Sequence, residues 1–322
     1  MLPPRSVPTS SPVSDTPCRT QARAELEDWQ GLPAIRLYCA NGDSALIALQ
    51  GAQVLSWVSG GREQLFLSPK AAHDGHSPIR GGIPVCFPQF NQRGPLVKHG
   101  FARSMGWQAG LEDAQIAGEE TWLTLRLTDT EATRAVWPFA FEALLLVQLA
   151  SAALTVRLEV HNRSAQPLSF TAALHSYLRV PQIEQVQLQG LAGLTFWNAA
   201  ADTHPVQQGA VRFGVEVDSV YPRPESPMQI QTLTGSPLLQ IQQSQDWSET
   251  VVWNPGPLLC AQLADMEAGS YQQMLCVEAA AIDAPVVLPP DGRWQAAQHL
   301  LAFADPGRVD GVNDAGTKEL TP

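Results

Sequence analysis

The stretch LTVRLEVHNR, residues 154–163, decides the fold class. Leu154, Val156, Leu158 and Val160 alternate with Thr155, Arg157 and Glu159, and the run stops at His161-Asn162-Arg163. A period of two sends successive side chains to opposite faces, so this is a half-buried antiparallel strand with one face on a core. Leu123, Leu125 and Leu127 alternate with Thr124 and Arg126 in the same way. Outward from these, short strand-like runs recur between turn signals, at 34–38, 45–49, 54–58, 64–67, 185–188, 211–217, 228–232, 238–242, 250–253 and 272–278. Residues 141–149 are more continuously apolar and fit a fully buried strand, and 294–302 fit a strand or a short helix. No amphipathic helix exceeds three turns, and no βαβ alternation occurs. The expectation is an all-β chain, a large antiparallel β-sandwich.

Residues 1–22, rich in Pro, Ser and Thr, read as a disordered tail, with ordered structure starting near Trp29. No linker or internal repeat of fixed period interrupts the rest, so 23–305 read as one domain, followed by a polar tail at 306–322. With 322 residues and 44% hydrophobic content the chain can bury a sizeable core.

The formal net charge of −11 argues against nucleic acid or an anionic membrane as partner, since both select a basic face. Five scattered cysteines (Cys18, Cys39, Cys86, Cys260 and Cys276) without CxxC spacing argue against a disulfide framework or a zinc site. The N-terminal residues contain no apolar signal region, and no run approaches the roughly 18 apolar residues of a membrane helix. A cytoplasmic, monomeric protein is expected.

Within this acidic chain, the window between Asp74 and Glu112 contains no carboxylate side chain. It holds Arg80, Arg93, Lys98 and Arg103, with His99 among them, on SPIRGGIPVCFPQFNQRGPLVKHGFARSMGW (77–107). The Gly and Pro residues interleaved there disfavour long regular elements. Cations on a stiff, turn-rich loop suit a pocket for a small anion; a structural loop whose arginines tie down carbonyls and carboxylates is the equal alternative.

The run LSFTAALHSYLRV (168–180) places Phe170, Ala172, Leu174 and Leu178 on one face, the core side. Thr171, Ala173, His175 and Tyr177 share the other, small or polar face, which suits the floor of a cleft. His175 there is either a ligand-facing group or a histidine satisfied within the sandwich. Glu278 ends the apolar run MLCVEAAA, where desolvation raises a carboxyl pKa toward general acid–base use; a structural pair with an arginine is the alternative. Asp218 reads as an ordinary strand-to-turn residue. No GxGxxG, Walker A, GxSxG or HExxH pattern is present.

Four segments, in order, resemble the hexose-6-phosphate mutarotases (glucose-6-phosphate 1-epimerases) of the aldose 1-epimerase superfamily. They are PIRGGIPVCFP (78–88), HGFAR (99–103) followed by Trp107, LHSY (174–177), and VVWNP (251–255) leading to YQQMLCVE (271–278). The likeness spans about residues 25–305, and RGGIPxxFPxF with HGxAR is a specific signature. It implies the galactose-mutarotase β-sandwich, with His175 and Glu278 as the catalytic pair and Asp218, within Asp-x-x-Tyr, binding substrate. It also implies Arg80 and Arg103 as phosphate ligands. Lys98, directly before His99-Gly100, stands where some relatives carry glutamine, and a lysine can meet phosphate as a point charge. His99 joins the substrate-binding set, while Arg93 lies in a variable loop and inherits no role. The implied reaction needs no metal or other cofactor, and the implied partner is a phosphosugar. An epimerase of unphosphorylated aldoses and a non-catalytic carbohydrate-binding sandwich are the alternatives. The first leaves the arginines nothing to neutralise.

Overall fold

The computed structural model describes residues 21–304; the two expected tails, at 1–22 and 306–322, lie almost wholly outside the described residues. The period-two reading is realised as three antiparallel sheets. The largest has nine strands, with Ala153–Asn162 at its middle between Arg293–Ala302 and Phe141–Ala150, followed outward by Glu120–Thr128. A seven-stranded sheet centres on Met274–Leu288, flanked by Glu249–Asn254 and Leu168–Leu174. A five-stranded meander runs in chain order from Arg23–Trp29 to Arg62–Glu63.

The two large sheets face each other through the alternating apolar side chains. Leu123, Leu125, Leu145, Val147, Leu154, Val156 and Leu158 from one meet Phe170, Ala172, Leu174, Val252, Leu275 and Val277 from the other, all in one buried cluster. Each such side chain contributes about 1.5–3 kcal/mol when fully buried, enough in sum to select this pairing of faces. Trp57, Trp137, Phe87 and Phe141 extend the same cluster towards the meander.

Several sequence expectations are corrected. Order begins before Trp29, because Arg23–Trp29 pairs along its whole length with Leu32–Tyr38. Phe141–Ala150 is not fully buried: its burial alternates strictly, and Glu142, Leu144, Leu146 and Gln148 face outward. Residues 64–67 form only isolated bridges, Leu65 to Leu178 and Leu67 to Gly81. Val211–Arg212 is a two-residue strand, and Val217 belongs instead to Val217–Pro222. Residues 293–302 are a strand and not a helix, fixed by pairing with Ala153–Asn162 on one side and Pro237–Gln243 on the other. Met274–Leu288 is much longer than expected because it pairs in turn with Tyr177–Arg179, Glu249–Asn254 and Leu168–Leu174.

One interruption matters for function. The run at 168–180 is two strands, Leu168–Leu174 and Tyr177–Arg179, broken at His175-Ser176. There the backbone turns to other partners: the His175 N–H donates to the Pro84 carbonyl at 3.0 Å and the Tyr177 N–H to that of Gly82 at 2.8 Å. The glycine-rich loop can reach this break only because it lies against its neighbours' main chain. A Cβ on Gly82 would sit 2.1 Å from the Val54 carbonyl oxygen, at φ +62°. Gly82→Ala is therefore expected to destabilise the fold by on the order of 1–3 kcal/mol or more. Denaturant unfolding checks this, and unchanged stability would show that the loop has slack.

Candidate active site

The break at His175 and the apolar strand carrying Glu278 meet at the floor of a cleft of about 260 Å³. It is lined by Arg80, Lys98, His99, Arg103, His175, Asp218 and Glu278, so the seven residues singled out in the sequence face one cavity. That size lies near the lower end of small-molecule sites, suited to one monosaccharide.

Glu278 is 1% exposed and His175 8%. The His175 Nδ1 lies 3.3 Å from the Glu278 Oε1. Among the described residues no arginine lies at ion-pair distance from Glu278, so the structural alternative raised for it finds no partner there. Burial pushes the Glu278 carboxyl well above the usual range, with help from the negative charge of Asp218. Burial likewise pushes the His175 imidazole well below its ordinary value, reinforced by His99, Arg80 and Arg103. The contact has ion-pair distance, but desolvation favours the uncharged forms: a protonated carboxyl beside a neutral imidazole. Among the described residues, the His175 Nδ1 and the Glu278 Oε2 have no hydrogen-bond partner. Buried polar atoms left unpaired cost about 1–3 kcal/mol each, and these two, unlike Trp57 Nε1 or Trp247 Nε1, belong to residues that line the cleft.

The backbone beneath the pair is pinned from the core side. Gln243 Nε2 donates to the Glu278 carbonyl at 3.0 Å, and Gln298 Nε2 to that of Val277 at 2.9 Å. Thr250 Oγ1 donates to Gln243 Oε1 and Ser176 Oγ to Gln298 Oε1, completing each amide's role. The imidazole of His175 stacks on the Tyr177 ring, with centroids 4.7 Å apart and planes within 6°. Trp253 meets both rings edge-on.

His99 sits at φ +66° and is 7% exposed. Its Nδ1 accepts the Asn91 N–H at 3.3 Å and lies 3.2 Å from the Cys86 Sγ, which leaves Nε2–H as the donor. Burial, then Arg103 and Lys98, lower its pKa to about 3, so the ring is neutral. Asp218 lies within Val217–Pro222, paired opposite Trp253, and not at the strand-to-turn boundary first assigned to it. Burial and the charge of Glu216 raise its carboxyl pKa.

Arg80 donates to both carboxylate oxygens of Asp265 and to the Tyr177 phenol, while an Arg103 Nη donates to the Lys98 carbonyl at 2.7 Å. The loop cations thus tie down some protein groups and still line the cavity, so neither half of the sequence alternative holds alone. Arg93, unassigned in the sequence, also lines the cleft, packed over the Trp197 ring and paired with Asp283. Phe90, Trp197 and Trp253 supply its aromatic walls. Asp265 had no sequence signal at all, because it lies in an irregular loop 185 residues from its partner.

A histidine nitrogen of His175, the Cys276 thiol and a Glu278 oxygen lie within 4.8 Å of one another, a donor set of the kind that takes a thiophilic cation. Burial pushes the Cys276 thiol well above its usual pKa, which holds it protonated and opposes metal binding. Cys39, Cys86, Cys260 and Cys276 are all unpaired and buried; Cys18 lies outside the described residues. Among the described residues no helix is long and apolar enough to cross a membrane.

Residues 33–301 match the aldose 1-epimerase family model. A Cenchrus ciliaris protein named "Putative glucose-6-phosphate 1-epimerase" is 34% identical over 274 residues, covering 82% of this chain and 83% of its own. An Escherichia coli protein of the same name is 34% identical over 244 residues, covering 73% and 79%. The crystal structure of a Salmonella typhimurium "putative mutarotase (YeaD)" superposes with a TM-score of 0.79 at 29% identity, covering 87% of this chain and 93% of that one. A galactose mutarotase related enzyme of Lactobacillus acidophilus, at 16% identity and a TM-score of 0.64, shares the fold. With the matched segment running through all three sheets and the whole cleft, the chain belongs to the aldose 1-epimerase family.

Proposed function

We propose that the protein interconverts the α and β anomers of a hexose 6-phosphate, with glucose 6-phosphate the leading substrate. The observation that carries this reading is the placement of Arg80, Arg103 and Lys98 in the same small cleft as the buried His175–Glu278 pair. Family membership supports anomer interconversion, and the relatives' names supply the phosphosugar. Neutral aldoses would leave Arg103 and Lys98, which have no carboxylate at ion-pair distance among the described residues, without a counter-charge, which favours a phosphorylated substrate over the free sugar.

Mutarotation requires O1 to lose a proton while the ring oxygen gains one. Glu278 as carboxylate removes the O1 proton, His175 as imidazolium protonates the ring oxygen, the bond from C1 to the ring oxygen breaks, and the carbonyl forms at C1. Rotation about C1–C2 presents the other face, and the same steps in reverse deliver the other anomer with both groups restored. Each general acid or base of this kind contributes about 10²–10⁴-fold. Asp218 orients sugar hydroxyls, and the neutral His99 offers one donor.

The pair needs one proton between its two members. Burial favours that proton on Glu278, and the charges of Arg80 and Arg103 oppose its move to His175. A bound phosphate dianion cancels those charges, so occupancy of the anion site favours the charged, working form of the pair. The phosphate then serves as handle and as trigger.

Exchange between α- and β-glucose 6-phosphate, followed by NMR at equilibrium, tests the assignment. Glu278→Gln and His175→Ala are each expected to remove protein-accelerated exchange while the fold persists. Normal exchange in both would sink the catalytic roles. Arg80→Ala is expected to raise KM for glucose 6-phosphate at least tenfold, an effect of about 1.4 kcal/mol, and to spare turnover of unphosphorylated glucose.

The same burial fixes a stability prediction. A carboxyl whose folded pKa is raised takes up a proton on folding above its unfolded value of about 4.3, so it costs stability progressively as pH rises from there toward the folded pKa. Glu278→Gln is expected to melt higher than wild type at pH 7, with the gap closing near pH 4. About 1 kcal/mol corresponds to roughly 2–4 °C for a domain of this size class. A lower Tm for the variant at pH 7 would contradict a desolvated Glu278.

A further inference from the structure

Arg80 is the most completely anchored of the cleft cations. Its Nε and one Nη donate to the two carboxylate oxygens of Asp265 at 2.9 and 3.1 Å, and its other Nη donates to the Tyr177 hydroxyl at 2.8 Å. A guanidinium has five N–H groups in a rigid plane, so two remain for a ligand. Arg80 lines the cleft whereas Asp265 does not. The carboxylate therefore holds the edge of the guanidinium turned from the cavity. Asp265 is itself fixed, since Ser68 Oγ donates to its carbonyl at 2.7 Å. Its loop follows the short helix Gly256–Cys260 and precedes Gly269; both glycines have positive φ, and a Cβ on Gly256 would stand 2.6 Å from the Glu216 nitrogen. Tyr177, the second anchor, carries the ring that stacks on His175.

We propose that Asp265 is a positioning residue for phosphosugar selectivity: without touching substrate, it sets the plane of Arg80 so that the two free N–H groups face the phosphate. This rests on the hexose 6-phosphate reading above. Two effects of Asp265 oppose each other. Its negative charge weakens the anion site, while its two hydrogen bonds remove the rotamer freedom that an arginine otherwise loses on binding. The bidentate geometry, the part-buried setting and the second anchor at Tyr177 favour preorganisation as the larger effect.

The test is steady-state anomer exchange by the full-length protein on glucose 6-phosphate and on glucose, for wild type, Asp265→Asn, Asp265→Glu and Tyr177→Phe. Asp265 is 38% exposed, and both its replacements are close in size, so the fold is expected to persist. Asp265→Asn should raise KM for glucose 6-phosphate roughly tenfold, about 1.4 kcal/mol, with kcat changed less than twofold and kcat/KM for glucose unaffected. Asp265→Glu, which keeps the carboxylate, should recover part of that loss. Tyr177→Phe, which keeps the ring stack and removes the phenol acceptor, should shift KM in the same direction. A KM for glucose 6-phosphate that is unchanged or lower in Asp265→Asn overturns the proposal, a lower value showing that Asp265 competes with phosphate. Equal loss on both sugars overturns it too, as a structural role would produce that. Failure of the underlying reading shows separately, as a wild type that does not favour glucose 6-phosphate over glucose.

Discussion

The desolvation of Glu278 beside His175 is the constraint on which the rest of this structure depends. Burial of Glu278 at 1% exposure penalises an isolated carboxylate, so desolvation favours the uncharged acid beside a neutral imidazole 3.3 Å away. Keeping them there requires a rigid floor, because two adjacent unpaired polar groups would otherwise turn toward water. The floor is supplied by the long strand Met274–Leu288, paired on both sides, and by Gln243 and Gln298, which hold the main chain on the core side. The aromatic stack of His175 on Tyr177, capped edge-on by Trp253, fixes the imidazole from above.

On the proposed function, the loop at 77–107 answers a second requirement, selectivity. Its cations come from 80 to 103 in the chain, while the acid–base pair comes from 175 and 278, and only close main-chain approach brings the two together. Gly82 against Val54 and Gly100 against Phe87 are the contacts that no side chain could replace. Phe87, between the loop and the core, meets Phe101, Trp137, Phe141 and Phe170 edge to face. These contacts seat the loop against the core at Gly82, Phe87 and Gly100.

Legibility in the sequence followed the range of the interactions. The alternation of Leu154–Val160 with its polar partners is a local signal and located the central strand of the largest sheet. The face carrying Thr171, Ala173, His175 and Tyr177 was legible for the same reason, although the break at His175-Ser176 was not, since it is caused by Pro84 and Gly82 drawing the backbone away. Residues 64–67 misled because an apolar run was taken for a strand when its burial comes from the loop folded over it. Asp265 and the cleft roles of Arg93, Trp197 and Trp253 were invisible: each depends on a partner far away in the chain. The motif RGGIPxxFPxF carried more than periodicity could, because its glycines and prolines encode contacts that have no local period.

The central claim, that burial holds the His175–Glu278 pair uncharged until an anion occupies the cleft, is tested most directly by the protonation state of the imidazole. Nitrogen-15 NMR of the histidine-labelled protein, with His175→Ala to assign its signals, gives that state as a function of pH. Desolvation of the pair predicts a His175 ring that is neutral at pH 7 in the free protein and moves toward the imidazolium when inorganic phosphate or glucose 6-phosphate is added. A free-protein His175 that titrates near 6.5, as a solvated imidazole does, and does not respond to either anion would contradict it.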